Sequence, residues 1–146
     1  MTAVGLTIET IRQALAAQVS ANVNNDITVD AWPTLTMSSG PRITVDYQKA
    51  DPVEYWGTFG ANGLSTLNLE LVCEPGGEGT TVSQRLDQYL SAGTGNTWSV
   101  VDAVMQDRTL GLGAGIDVAL TDVSIDDSLV AHFLVTVTIS KQGANA

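Results

Sequence analysis

Cysteine and histidine are nearly missing from this chain: Cys73 is the only thiol and His132 the only imidazole. A single cysteine excludes an intrachain disulfide and a zinc site of the multi-cysteine kind. A reducing, intracellular folding environment is the expectation that follows. Basic residues are scarce as well, six against sixteen acidic ones, for a formal net charge of −10. Such a chain repels phosphate backbones and anionic lipid, which argues against tight binding of DNA, RNA or a membrane surface. Long apolar runs are absent, and none approaches the ~18 residues of a membrane span. The stretch Met1 to Leu6 has no basic segment and Glu9 follows before any apolar run can build, so no secretory leader is expected. The acids are scattered, without the block of five or six that would make an acidic tail.

What remains is the composition of a folded domain. With 146 residues, 44% of them hydrophobic, the chain is long enough to bury a core without a disulfide or a metal. No repeat, linker or low-complexity tract divides it. One domain over residues 1–146 is expected, with Gln142 to Ala146 a loose tail.

Hydrophobic spacing places the elements. Ile8, Ile11, Leu15 and Val19 recur at helical intervals, with Glu9, Arg12, Gln13 and Gln18 on other faces, so an amphipathic helix is expected from Thr7 to Ala21, capped by Thr7. Ile27–Trp32 and Arg42–Tyr47 alternate as half-buried strands, and Leu64–Cys73 is a longer one with Leu67, Leu69, Leu71 and Cys73 on one face. Between them Lys49–Gly63 reads as a Gly-rich loop that holds Tyr55, Trp56 and Phe59. Those aromatics either fold back on the core or meet a neighbouring subunit, where Tyr, Trp and Phe are enriched. After the loop Glu74–Gly79, Thr80 or Thr81 caps a second helix, and a third is expected from Trp98 to Asp107. Ile116–Ile125 changes face at Thr121-Asp122, which predicts a bulged or bent strand. Asp126-Asp127-Ser128 then turns it into Leu129–Ser140, a C-terminal hairpin. The expected class is α+β in the order α-β-β-β-α-α-β-β, a mostly antiparallel sheet with helices packed on one face.

Motifs that could carry chemistry fail in detail. Val72–Val82 has the strand, Gly-rich loop and helix of a phosphate site, but no Lys precedes Thr80 or Thr81, and Glu74 and Glu78 put negative charge where phosphate would lie. Gly111-Leu112-Gly113-Ala114-Gly115 follows a helix and leads into a strand, the reverse of a dinucleotide fingerprint. His132 falls on the less buried face of its strand, and no G-x-S-x-G elbow accompanies it. Asp117, Asp122, Asp126 and Asp127 lack the alternation and central Gly of a calcium loop, and Asp126-Asp127 reads as a turn. Cys73 reads as a small buried apolar residue. The sequence therefore points to no catalytic, cofactor-binding or metal-binding residue, and to a protein that is not an enzyme.

Taken together, several segments resemble the tail terminator proteins of long-tailed bacteriophages, especially those infecting actinobacteria. They are the helix Ile8-Glu9-Thr10-Ile11-Arg12-Gln13-Ala14-Leu15-Ala16-Ala17, the strand Val45-Asp46-Tyr47, and Thr58-Phe59-Gly60-Ala61-Asn62-Gly63 leading into Leu67-Asn68-Leu69-Glu70-Leu71-Val72. Gln84–Ser91, Trp98–Val101 and Thr109-Leu110-Gly111 extend the likeness over nearly the whole chain. The family's usual arginine after the Phe-Gly pair is replaced by Ala61, so a charged contact there is not carried over. The resemblance implies a homohexameric ring that caps the tail tube, stops its polymerisation and presents a joint to the head completion protein. It implies a place in the virion at the head-tail junction, after assembly in the host cytoplasm, with DNA passing through unbound. Tyr55, Trp56 and Phe59 are the candidate subunit contacts. The alternative is a monomeric adaptor or another neck or tail-tube component.

Overall fold

Thr7 opens the first helix where its side chain can serve the backbone. In the computed structural model its Oγ1 accepts the Thr10 N–H at 3.1 Å, which satisfies one of the donors that a first turn leaves unpaired. The structure describes residues 7–33, 40–48, 51–56, 64–93, 95–113 and 115–140, without the side chains of 55, 56, 64, 65 and 140. Helix α1 runs Ile8–Asn22 and buries Ile11, Leu15, Ala16 and Val19 along one stripe. The elements that follow are β1 (Thr28–Asp30), β2 (Arg42–Tyr47), β3 (Val53–Trp56), β4 (Leu64–Glu74), α2 (Thr80–Leu90), α3 (Val100–Val104), β5 (Ile116–Ile125) and β6 (Ala131–Ser140).

All six strands join one sheet in the order β1-β2-β4-β6-β5, with β3 also on β4. Only the β1–β2 pair is parallel. The architecture is α+β with a mostly antiparallel sheet, and its order contains one strand more than the sequence pattern suggested: α-β-β-β-β-α-α-β-β. That strand is β3, in the stretch expected to be Gly-rich loop. Val53–Trp56 pairs with Leu64–Leu67, while β2 pairs with Leu69–Glu74 farther along the same strand. Val53, Tyr55 and Trp56 are strand-favouring residues, but four positions beside Pro52 are too few to make a periodic pattern, and it is β4 that offers the ladder. Asn68 sits at the joint: its N–H donates to the Pro52 carbonyl at 2.8 Å, its carbonyl accepts the Gln48 N–H at 3.0 Å, and its Nδ2 donates to the Asp51 carbonyl at 2.8 Å.

Strand alternation decides which side chains reach the core. Leu67, Leu69, Leu71 and Cys73 point to the same face as Ile43, Val45, Phe133, Val135 and Val137, and all of these are buried. The helices supply Ile11, Leu15, Val19, Leu86, Tyr89, Val100 and Val104 to that one cluster. Each such side chain contributes roughly 1.5–3 kcal/mol by leaving water. Strand β5 slips register between Leu120 and Asp122, at the position where its face was expected to change. The extra residue, Thr121, turns Val123 and Ile125 to the side of Phe133 and Ala131.

Two helix expectations are corrected. Helix α2 is preceded by Gly79, at φ 60° and without a side-chain cap, and Thr80 and Thr81 lie inside the helix. Helix α3 is only Val100–Val104, capped by Ser99, whose Oγ accepts the Asp102 N–H at 3.1 Å. It stops early because the chain beyond it turns around Asp107, whose carboxylate accepts the N–H groups of Thr109 and Gly111 and the Thr109 hydroxyl.

Two polar residues of α1 expected on its outer faces instead tie the layers together. Arg12 is buried: Nη2 donates to the Val45 carbonyl at 3.1 Å, with the guanidinium 4.5 Å over the Tyr47 ring and 5.8 Å from that of Trp32. Val45 is the first β2 residue beyond the last one paired with β1, so Arg12 closes the edge where β1 stops. Gln18 Nε2 lies 3.3, 2.7 and 3.1 Å from the carbonyls of Ala103, Val104 and Asp107, the acceptors that the end of α3 leaves open. Gln18→Ala is expected to lower unfolding stability by about 1–2 kcal/mol, and Gln18→Glu by more because it sets a carboxylate against carbonyl oxygens. Urea denaturation of the two variants checks the order.

Candidate functional site

The outer face of the sheet, away from the helices, carries the strongest polar constellation among the described residues. Strand alternation puts His132 there with Leu134 and Thr136, as the sequence indicated. The register sets His132 of β6 opposite Val72 of β4 and Ser124 of β5. Glu70 is then diagonal to His132 across the β4–β6 pair, within reach of a long side chain. Its Oε1 meets His132 Nδ1, and Asp126 Oδ2 meets Nε2 at 2.7 Å. The imidazole is clasped by two carboxylates whose residues lie 62 and 6 positions away.

Asp126 also makes the turn predicted for it. Its Oδ1 accepts the N–H groups of Ser128 and Val130 at 2.8 and 3.2 Å. Hydrogen bonding to His132 first, and to the turn amides after it, holds its carboxyl below the usual carboxylate range. Partial burial pulls His132 toward neutrality, but hydrogen bonds to Asp126 and Glu70 and the charge of both acids outweigh it, so its pKa lies above the ordinary 6.5. Beside the ring is an open cleft of about 230 Å³ lined by Gln48, Glu70, Asp122, Ser124, His132 and Leu134.

This geometry restricts what the histidine can do. Ser124 is its cross-strand neighbour, yet both ring nitrogens are engaged by carboxylates, so neither is placed to take a hydroxyl proton. No cluster of three or more His, Cys, Asp or Glu side chains among the described residues is arranged to hold a metal ion. Of the other sequence candidates, Asp117 pairs with Arg108 at 3.0 Å. The Gly-rich loop before α2 is packed at its start, where Pro75 is buried, Arg85 Nη1 donates to the Pro75 carbonyl at 3.0 Å and a Cβ on Gly77 would meet that same nitrogen at 3.0 Å, and it is exposed from Gly77 to Gly79. Gly111 and Gly113 both take positive φ, in a connection between α3 and β5.

Assembly surfaces are the other candidate. Backbones of Tyr55 and Trp56 lie in β3 opposite Ser65 and Leu64, not in a loop. Their side chains, and all of Phe59, lie outside the described residues. Among the described residues, the large apolar ones that stand exposed are Trp32 past the end of β1, and Val123, Ile125 and Leu129 at the β5–β6 tip. These are opposite edges of the sheet. Edge strand β5 is blunted against simple strand addition. Its Val118 exchanges backbone and guanidinium hydrogen bonds with Arg108, and its Val123 N–H is taken by the Asp122 carboxylate at 2.8 Å. Sequence reading missed the Glu70–His132 contact because nothing local links residues so far apart, and it missed the exposed tip because alternation marks Val123 and Ile125 as inward.

Cys73 is fully buried on the helix-covered face, and burial pushes its thiol pKa well up. It is expected to resist an aromatic disulfide reagent in the native protein and to react as one thiol per chain in denaturant, followed by absorbance. No protein-family model matches the chain, and no curated protein matches it.

Proposed function

We propose that this protein works by assembly rather than by chemistry, as a phage tail terminator whose copies close into a ring on the tail tube. The observation that carries the reading is where its reactive side chains go. The sole histidine is spent on two carboxylates, the sole thiol is buried in the core, and buried Arg12 serves a backbone carbonyl. What faces outward is an acidic surface with apolar residues at both sheet edges. A ring needs two different patches that meet head to tail, and edges at opposite ends of one sheet supply a pair of that kind. The likeness of α1, the β2 strand, the segment before β4 and the two following helices to tail terminators adds the identity of the assembly. Its partners are then further copies of itself, six in the ring, the tail tube protein and the head completion protein, at the head-tail junction of the virion.

The acidity has a use in that setting. Six copies multiply a formal charge of −10, and carboxylates facing a channel repel DNA phosphates within a screening length of about 8 Å at physiological salt. Such a lumen lets DNA slide without holding it. Basic residues lining the hole of the assembled ring, with the acids on its rim, would remove this part of the proposal.

Sedimentation of the protein alone and with tail tubes tests the reading. Hexamers, or arrest of tube growth on addition, are expected. A protein that stays monomeric at high concentration and leaves tube growth untouched supports the monomeric adaptor instead. Ile125→Asp and Trp32→Ala are expected to weaken assembly while shifting the melting temperature little, since both positions are exposed. Trp56→Ala with Phe59→Ala is expected to do the same. If that pair lowers the melting temperature and leaves the oligomer intact, the aromatics belong to the core.

A further inference from the structure

We propose that His132 is a proton-operated latch: as imidazolium it ties the β5–β6 turn to β4, and loss of one ring proton releases the hairpin tip. This is a property of the single chain and stands apart from the assembly reading.

The geometry itself demands the charged ring. Carboxylates only accept hydrogen bonds, and His132 presents one nitrogen to Glu70 and the other, at 2.7 Å, to Asp126. A neutral imidazole has a single N–H. Whichever tautomer it adopts, one carboxylate then faces a nitrogen lone pair, and the Glu70–His132–Asp126 bridge is broken at that side.

The bridge acts where burial gives little support. Residues Thr121 to Leu129 are all exposed, so up to Ile125 they are held by the β5–β6 ladder and beyond it by the turn alone, and Leu129 sits at φ 60°, a left-handed conformation uncommon for a leucine. The turn closes on itself through Asp126, whose backbone bonds Val130 and Leu129 and whose Oδ1 takes two further amides. Its carboxylate link to the body of the sheet runs through His132 to Glu70. Around the ring the register collects acids: Glu70 and Glu74 on β4, Asp122 on β5, Asp126 and Asp127 in the turn, and Asp46 on β2 opposite Glu70. Two further cations stand near these positions: Arg12 Nη2 lies 3.9 Å from Asp46, and Arg42, opposite Glu74, pairs with Asp30 at 3.3 Å. Removing the imidazolium takes the counter-charge from between Glu70 and Asp126, so repulsion adds to the lost hydrogen bond.

The direction of each titration agrees. His132 titrates above its ordinary value, so its contribution is complete below pH 6.5 and is lost as pH rises through the folded-state value. Asp126 titrates below its ordinary value, so its share is lost as pH falls through that lowered value. The latch is closed between the two.

Imidazole nitrogen shifts by NMR and amide exchange of Asp122 to Val130, corrected for intrinsic rates, test this on the full chain between about pH 6 and about pH 9. A doubly protonated ring is expected at the lower pH, and tip protection falling about tenfold in step with ring titration, while Leu69 and Val135 stay protected. His132→Gln is expected to show the high-pH level of tip protection at both ends. Asp126→Asn provides the same test should that variant fold poorly: its ring titrates lower and its step is lost. A ring already neutral at the lower pH, tip protection that ignores the ring's titration, or a step that persists in either variant would overturn the latch.

Discussion

Strand β4 lies against β6 from Leu64 and Ser140 at one end to Cys73 and Ala131 at the other, and the rest of the molecule is placed by that register. Side chains alternate along a strand, so a slip of one residue would send Phe133 and Val135 to solvent and His132 into the core. The leucines of β4 and the apolar row of β6 make that slip costly, since each buried side chain is worth a few kcal/mol by the usual area argument. With the register held, β2 and β3 queue along the other edge of β4, and the helices have one apolar face to cover.

The same register arranges the polar chemistry. Asn68 falls where β2 hands over to β3 and satisfies the backbone of the interruption. Glu70 falls on the diagonal from His132. Arg12, Gln18, Arg85 and Tyr89 each carry a donor across the fold to a carbonyl that a strand end, helix end or loop leaves open. Tyr89 is an apt case: its hydroxyl bonds the Glu74 carbonyl, and burial, with smaller effects from nearby groups, pushes its pKa up and keeps it a donor. Buried donors used in this way hold the layers in place. That inward use of side chains is the physical basis on which assembly is proposed.

His132 differs from these buried donors. It is partly exposed, carries two acids, and sits at the root of a tip whose apolar residues face outward. Charge state and surface presentation are joined there by geometry, so any partner that met the tip would meet it in one of two states.

Much of this could be read from the order of residues. The α1 stripe with its Thr7 cap, the alternation of β2, β4 and β6, the bulge at Thr121 and the Asp126 turn are local signals, set by dihedral preference and by spacing over a few positions. The acidic balance is compositional and needed no fold. Tertiary structure decided the rest. Strand β3 exists because β4 offers it a ladder, α3 is short because Asp107 gathers the chain beyond it, and Arg12 is buried because β1 ends where it does. The clasp on His132 joins residues 62 positions apart, and no pattern along the chain can announce a contact whose energy appears only after the strands have paired.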